Sequence, residues 1–154
     1  MRKALLAFVL STVLVGASAA SASAAATRAE YAAQADPICK SSDKQTGRLS
    51  KRFVRLAKQY PFKIQAAANA LEGISRTISS TNSSLRLIPP PPGDEALSSH
   101  WLDIWDRIAA KYRLGASAYR LNEFKKLNHL LSTAVRLNGQ ARSLVSDWPF
   151  QHCA

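Results

Sequence analysis

Apolar side chains recur along this chain at alternating spacings of three and four, the pattern of helices that bury one face. The first stripe runs Cys39, Ser42, Thr46, Leu49, Phe53, Leu56 and Tyr60. Asp36 suits its N-cap and Pro37 its first helical position. Residues 28–35 are also helix-compatible, and a helix extended through them would hold Pro37 as a kink. Tyr60-Pro61 ends this element, because the residue before proline is pushed out of the α region.

A second stripe carries Ile64, Ala67, Leu71, Ile74, Ile78, Thr81, Leu85 and Ile88. Pro89 to Pro92 and Gly93 then form a connector through which no helix can continue. It reads as a stiff spacer rather than as a docking motif for an aromatic groove. The third helix starts near Asp94, with Leu97, Trp101, Ile104, Ile108, Lys111, Gly115 and Ala118 on one face. Trp105, Tyr112 and Tyr119 add an aromatic row that reads as core. The fourth stripe is Phe124, Leu127, Leu131, Ala134, Asn138, Ala141, Val145 and Trp148, ended by Pro149.

Four amphipathic helices with short connections predict an all-α fold, an antiparallel up-down four-helix bundle. The two cysteines, Cys39 and Cys153, test that topology. In a four-helix up-down bundle they fall at the same end and can form one disulfide. In a three-helix arrangement they would stand roughly 35 Å apart for helices of about 24 residues. The bond would close most of the chain into one loop, worth about 4–5 kcal/mol by chain entropy. A metal site using His152 beside Cys153 is the weaker alternative, since no C-x-x-C spacing occurs.

The start of the chain fixes the expected compartment. Arg2 and Lys3 precede an apolar stretch from Ala4 to Gly16, and small residues from Ala17 to Ala26 offer A-x-A cleavage sites. Residues 1–24 therefore read as a secretory signal peptide, too short in its apolar core to span a bilayer. Residues 25–154 read as one helical-bundle domain, with the proline-rich connector at 89–93. The protein is expected to be secreted or to stay in the cell envelope, where a disulfide persists.

Charge is uneven. The formal net charge is +11, of which Arg2 and Lys3 belong to the export signal. With the helices alternating in direction, Asp36, Asp43, Asp94, Glu95, Asp103, Asp106 and Asp147 collect at the cysteine end. Lys58, Lys63, Arg120, Lys125 and Lys126 gather at the other, with only Glu123 against them. Lys44, Arg48, Lys51, Arg55 and Lys58 form a stripe on the outer face of the first helix, a candidate anion-binding surface. Its expected partner is an anionic cell-envelope polymer, a membrane surface or an acidic protein. Nucleic acid is not expected, because no DNA- or RNA-reading motif occurs.

Candidate chemistry is sparse. Thr46, Thr81 and Asn138 occupy stripe positions at similar heights and read as a polar core layer, with a small ligand pocket as the sharper alternative. His100 and His152 are expected near the cysteine end, and His129 in solvent. There is no G-x-S-x-G, H-E-x-x-H, phosphate-binding glycine loop, C-x-x-C-H or paired Glu-x-x-His. The chain therefore reads as no enzyme, with no cofactor and no metal.

Ala35-Asp36-Pro37-Ile38-Cys39 behind a signal peptide resembles the Ala-Asp-x-Ile-Cys opening of small secreted helical proteins of actinobacteria. Pro91-Pro92-Gly93-Asp94 is similar to their mid-chain Pro-Pro-x-Asp segment, and Trp148 to Cys153 to their aromatic tail with a final cysteine. Pro37, where alanine is usual, and the basic load depart from that pattern. The resemblance implies a helical fold and a disulfide, but no activity or site residues. The residues together point to an exported, non-enzymatic binding or structural module that attaches to anionic envelope surfaces. A helical inhibitor of an extracellular enzyme is the alternative.

Overall fold

The computed structural model describes residues 27–153. The signal peptide read over residues 1–24 lies outside them. Four helices follow one another: α1 (Arg28–Ala57), α2 (Ile64–Leu85), α3 (Glu95–Arg120) and α4 (Phe124–Leu144). No strand occurs among the described residues. Consecutive helices pack against each other, and the ends that meet show that they alternate in direction. Leu49, in the second half of α1, faces Gly73, in the first half of α2. Asn82, late in α2, bonds to Leu102, early in α3. Gly115, late in α3, faces Leu127, early in α4. The fold is a four-helix bundle closed by a Cys39–Cys153 disulfide, with Cα atoms 5.2 Å apart.

The start of α1 differs from the Asp36-Pro37 expectation and follows the longer alternative. Thr27 is the N-cap, its hydroxyl accepting the Glu30 N–H at 3.2 Å. Thr27-Arg28-Ala29-Glu30 has the T-x-x-E composition of a capping box, a signal the proline had overshadowed. Pro37 lies inside the helix. Having no N–H, it leaves the Ala33 carbonyl without its helical partner. Both residues are exposed, so water can serve that carbonyl. α2 and α4 end three and four residues short of their stripes, at Leu85 and Leu144.

The core is built from the predicted faces of α2, α3 and α4, including Leu71, Ile74, Ile78, Trp101, Ile104, Ile108, Leu127, Ala134 and Val145. Two buried hydrogen bonds tie α2 to α3: Ser75 Oγ donates to the Ala109 carbonyl at 2.8 Å, and Asn82 Nδ2 to the Leu102 carbonyl at 3.0 Å. α1 is buried only through Tyr31, Ala32, Ala35, Cys39 and Ser42, all in its first half. Its second half presents Leu49, Phe53 and Leu56 to the core at an edge.

The connector behaves as a spacer packed onto the bundle. Pro91 is buried, and its carbonyl accepts the Asp94 N–H at 3.0 Å. Pro92 and Gly93, the latter at φ 88°, fill the middle of that turn, the type II signature. α3 ends in a Schellman motif: the Glu123 N–H reaches the Ala118 carbonyl at 2.8 Å, and the Asn122 N–H reaches that of Tyr119 at 3.2 Å. Asn122 supplies the left-handed residue at φ 60°.

Candidate anion-binding face

The two ends of the bundle are built from different chemistry. At the cysteine end, Tyr31, Trp101, Trp148 and Phe150 pack into one aromatic group, with Tyr31 edge-on to Trp148 and Trp101 stacked on Phe150. Arg28 lies over the Trp148 ring, 5.6 Å from its centroid. The same guanidinium donates from Nε and Nη2 to both oxygens of Asp94, at 2.7 Å each. This fork holds the Asp94 carboxyl below its ordinary value. Asp36 accepts backbone N–H groups from Gln151, His152 and Cys153. Asp36, which read as a helix cap, and Asp94, which read as a helix start, are thus engaged in joining distant parts of the chain.

Further along α2 and α3, Arg86 bridges Asp103 and Asp106 at 2.8 and 2.9 Å. At the opposite end Arg120 pairs with Glu72 at 2.8 Å and lowers its carboxyl, and Lys126 pairs with Glu123 at 2.8 Å. Glu72 was absent from the acids assigned to either end by sequence, because mid-helix height is hard to place before the helices are aligned.

The stripe residues stand apart from these pairs. Lys44, Arg48, Lys51, Arg55 and Lys58 are all exposed along α1. Among the described residues, none of the five has a carboxylate within ion-pair distance. Lys63 and Lys125, at the same end as Lys58, are exposed and equally free. Between Asp43 and Glu72 the chain carries no acid. These cations therefore have no neutralising partner in direct contact, and their charges add along one face.

Four exposed apolar side chains cap the basic end. Tyr60 and Phe62 stand on the α1–α2 connection, Leu121 on the α3–α4 connection, and Phe124 at the start of α4. Tyr60 links the two, with its ring 5.3 Å from that of Phe124 and its hydroxyl 3.3 Å from Asn122 Oδ1. Phe62 is 88% exposed and Leu121 67%. Sequence reading passed over this cap because Tyr60 and Phe124 read as the last and first residues of core stripes.

The polar layer expected from Thr46, Thr81 and Asn138 does not form. All three are half-buried, and Thr46 bonds back to the Ser42 carbonyl of its own helix at 2.9 Å. The buried polar residues are instead Ser42, Ser75, Thr77, Asn82 and Ser98. Asn82 and Ser75 sit one position beside the predicted stripe, where they reach carbonyls of α3. An open groove of about 660 Å³ between α1 and α2 is lined by Thr81, Gln45, Leu49, Arg76 and several serines. His152 lies beside Cys39 and Asp43, whereas His100 lines a different groove with Arg107 and Arg136. Among the described residues, no group of three or more His, Cys, Asp or Glu is arranged to hold a metal.

Among the described residues, no helix is long and apolar enough to cross a membrane. The fold and its charged face define a class: a disulfide-closed four-helix bundle with an acidic, aromatic-packed end and a basic, apolar-capped end. No protein family, curated protein or solved structure matches the chain.

Proposed function

We propose that this protein is an exported, non-enzymatic attachment module. It holds to polyanionic envelope surfaces, phosphate- or carboxylate-bearing, through Lys44, Arg48, Lys51, Arg55 and Lys58. The observation that carries this reading is that the five cations form one exposed row, lack carboxylate partners among the described residues, and lie in a stretch with no acid between Asp43 and Glu72. The disulfide supports an oxidising location, and the export signal read at the start of the chain supports secretion.

Co-sedimentation of the disulfide-bonded protein with isolated cell envelopes tests the reading. Binding is expected at low ionic strength and release at about 1 M salt, where the screening length falls to about 3 Å. Lys51→Glu/Arg55→Glu/Lys58→Glu is expected to abolish it without lowering the melting temperature. Binding that ignores both salt and the triple substitution overturns the proposal. A salt-insensitive 1:1 complex with an extracellular enzyme would put an inhibitor in its place.

A further inference from the structure

We infer that the basic end of the bundle is a tip that inserts into the surface of an anionic phospholipid bilayer. This rests on the attachment reading above, names its partner, and confines the contact to the part of the basic row nearest the tip. Of the eight large apolar side chains exposed on the described surface, four stand at this one end: Tyr60, Phe62 and Leu121 on the two connections and Phe124 at the start of α4. Phe62 follows the bridging Tyr60 by two residues, and Leu121 directly precedes Asn122, to which Tyr60 bonds. The two most exposed side chains of the tip therefore project from connections that meet through Tyr60.

The tip has the composition of a bilayer interface anchor. Its connections carry aromatic and aliphatic side chains, and Lys58, Lys63 and Lys125 lie within two residues of them in the chain, exposed and without carboxylate partners among the described residues. Aromatic rings favour the headgroup level, and lysines beside them meet lipid phosphates. A soluble wall polymer would engage the lysines but offers nothing for an exposed phenyl ring. Charge and apolar surface together select a bilayer.

Tip-first docking also divides the stripe. From Lys58 back to Lys44 the helix rises about 21 Å, whereas the screening length at physiological salt is about 8 Å. Arg55 and Lys58 feel the lipid charge; Lys44 and Arg48 stand beyond it. Side-on attachment would use all five equally.

The experiment uses vesicles of phosphatidylcholine with and without phosphatidylglycerol, and soluble polyphosphate as a polyanion without a bilayer. Phe62→Trp should be quenched by lipids brominated in their acyl chains, while the parent protein is not, since Trp101 and Trp148 are buried and Trp105 is half-buried beside Cys39 at the other end. Phe62→Ser/Leu121→Ser should weaken binding to phosphatidylglycerol vesicles by about 100-fold, from the loss of two buried apolar side chains. It should leave polyphosphate binding unchanged. Lys44→Glu/Arg48→Glu should change vesicle binding by less than about twofold. Vesicle binding with an unquenched Phe62→Trp, or binding equally sensitive to Lys44→Glu/Arg48→Glu, overturns tip insertion and leaves attachment standing. Failure to bind either vesicles or polyphosphate at low salt overturns both. Self-association abolished by Phe62→Ser/Leu121→Ser, without vesicle binding, makes the tip a contact between two copies and overturns the lipid assignment.

Discussion

The carboxylate of Asp36 accepts the backbone N–H of His152 at 2.9 Å, one residue before the cysteine that closes the chain. The same carboxylate takes the N–H groups of Gln151 at 2.9 Å and Cys153 at 3.3 Å. Asp36 lies one turn before Cys39 on α1, so it holds the tail in position for the disulfide. Three N–H groups of a segment outside any helix would otherwise depend on water.

Asp36→Ala is therefore expected to destabilise the fold by about 2 kcal/mol, the worth of hydrogen bonds to a charged acceptor. It should also speed reduction of Cys39–Cys153 by dithiothreitol, because the tail separates more readily. Asp36→Asn keeps one acceptor oxygen and should fall between Asp36→Ala and the parent. Urea midpoints and thiol release rates measure both effects.

Removing the bridge by Cys39→Ser/Cys153→Ser should lower stability by about 2–5 kcal/mol. The tip is at the other end of the bundle, so vesicle binding at temperatures where the variant stays folded should match the parent. Circular dichroism melts and vesicle co-sedimentation check the two halves of this prediction.

Asn122 holds the left-handed position that ends α3, at φ 60°. Asn122→Val should cost about 1–2 kcal/mol, since a β-branched side chain is strained there. Asn122→Gly should change stability by only a few tenths of a kcal/mol, because the bond to Tyr60 is exposed and long at 3.3 Å. Thermal melts of the two variants separate backbone strain from the lost contact.

Arg28 holds Asp94, and Arg120 holds Glu72, below their ordinary carboxylate values of 3.8 and 4.5. Each folded carboxyl then binds fewer protons than its unfolded counterpart, so stability rises with pH through that interval. The contribution is complete above those values and disappears as the pH falls beneath them. Asp94→Asn/Glu72→Gln should flatten the dependence of the urea midpoint between about pH 5 and about pH 2. An unchanged acid slope would show that these pairs do not govern it.

Gly47 and Gly139 are mid-helix positions where an added Cβ meets nothing within 4 Å. Gly47→Ala and Gly139→Ala should each stabilise the bundle by about 0.5–1 kcal/mol through helix propensity. Gly73→Ala should gain less, because its Cβ would stand 3.1 Å from Leu49 Cδ1 and force that side chain to shift. Differences in melting temperature among the three variants test this order.

The number of helices, the buried faces of α2, α3 and α4, and the pairing of Cys39 with Cys153 were legible in the chain. Helical periodicity is a local property, and a lone pair of cysteines has one way to bond. The stripe from Lys44 to Lys58 was legible for the same reason, since steps of four and three place side chains on one line. The N-terminus of α1 was misplaced because Asp-Pro carries a strong local start signal, and local signals do not reveal a distant partner. Asp36 meets residues more than a hundred positions away, and Asp94 meets Arg28 across two helices.

The sequence by itself determined four amphipathic helices, a row of five basic residues on one helix line with no acid among them, and one possible disulfide. Only the tertiary structure decided which acids neutralise which bases, that Asn82 rather than Asn138 is the buried amide, and that Phe62 and Leu121 share one end. Burial of a stripe follows from its period of 3.6. Ion pairs and surface patches depend on the register in which separate helices meet, and the register is set by the packed core.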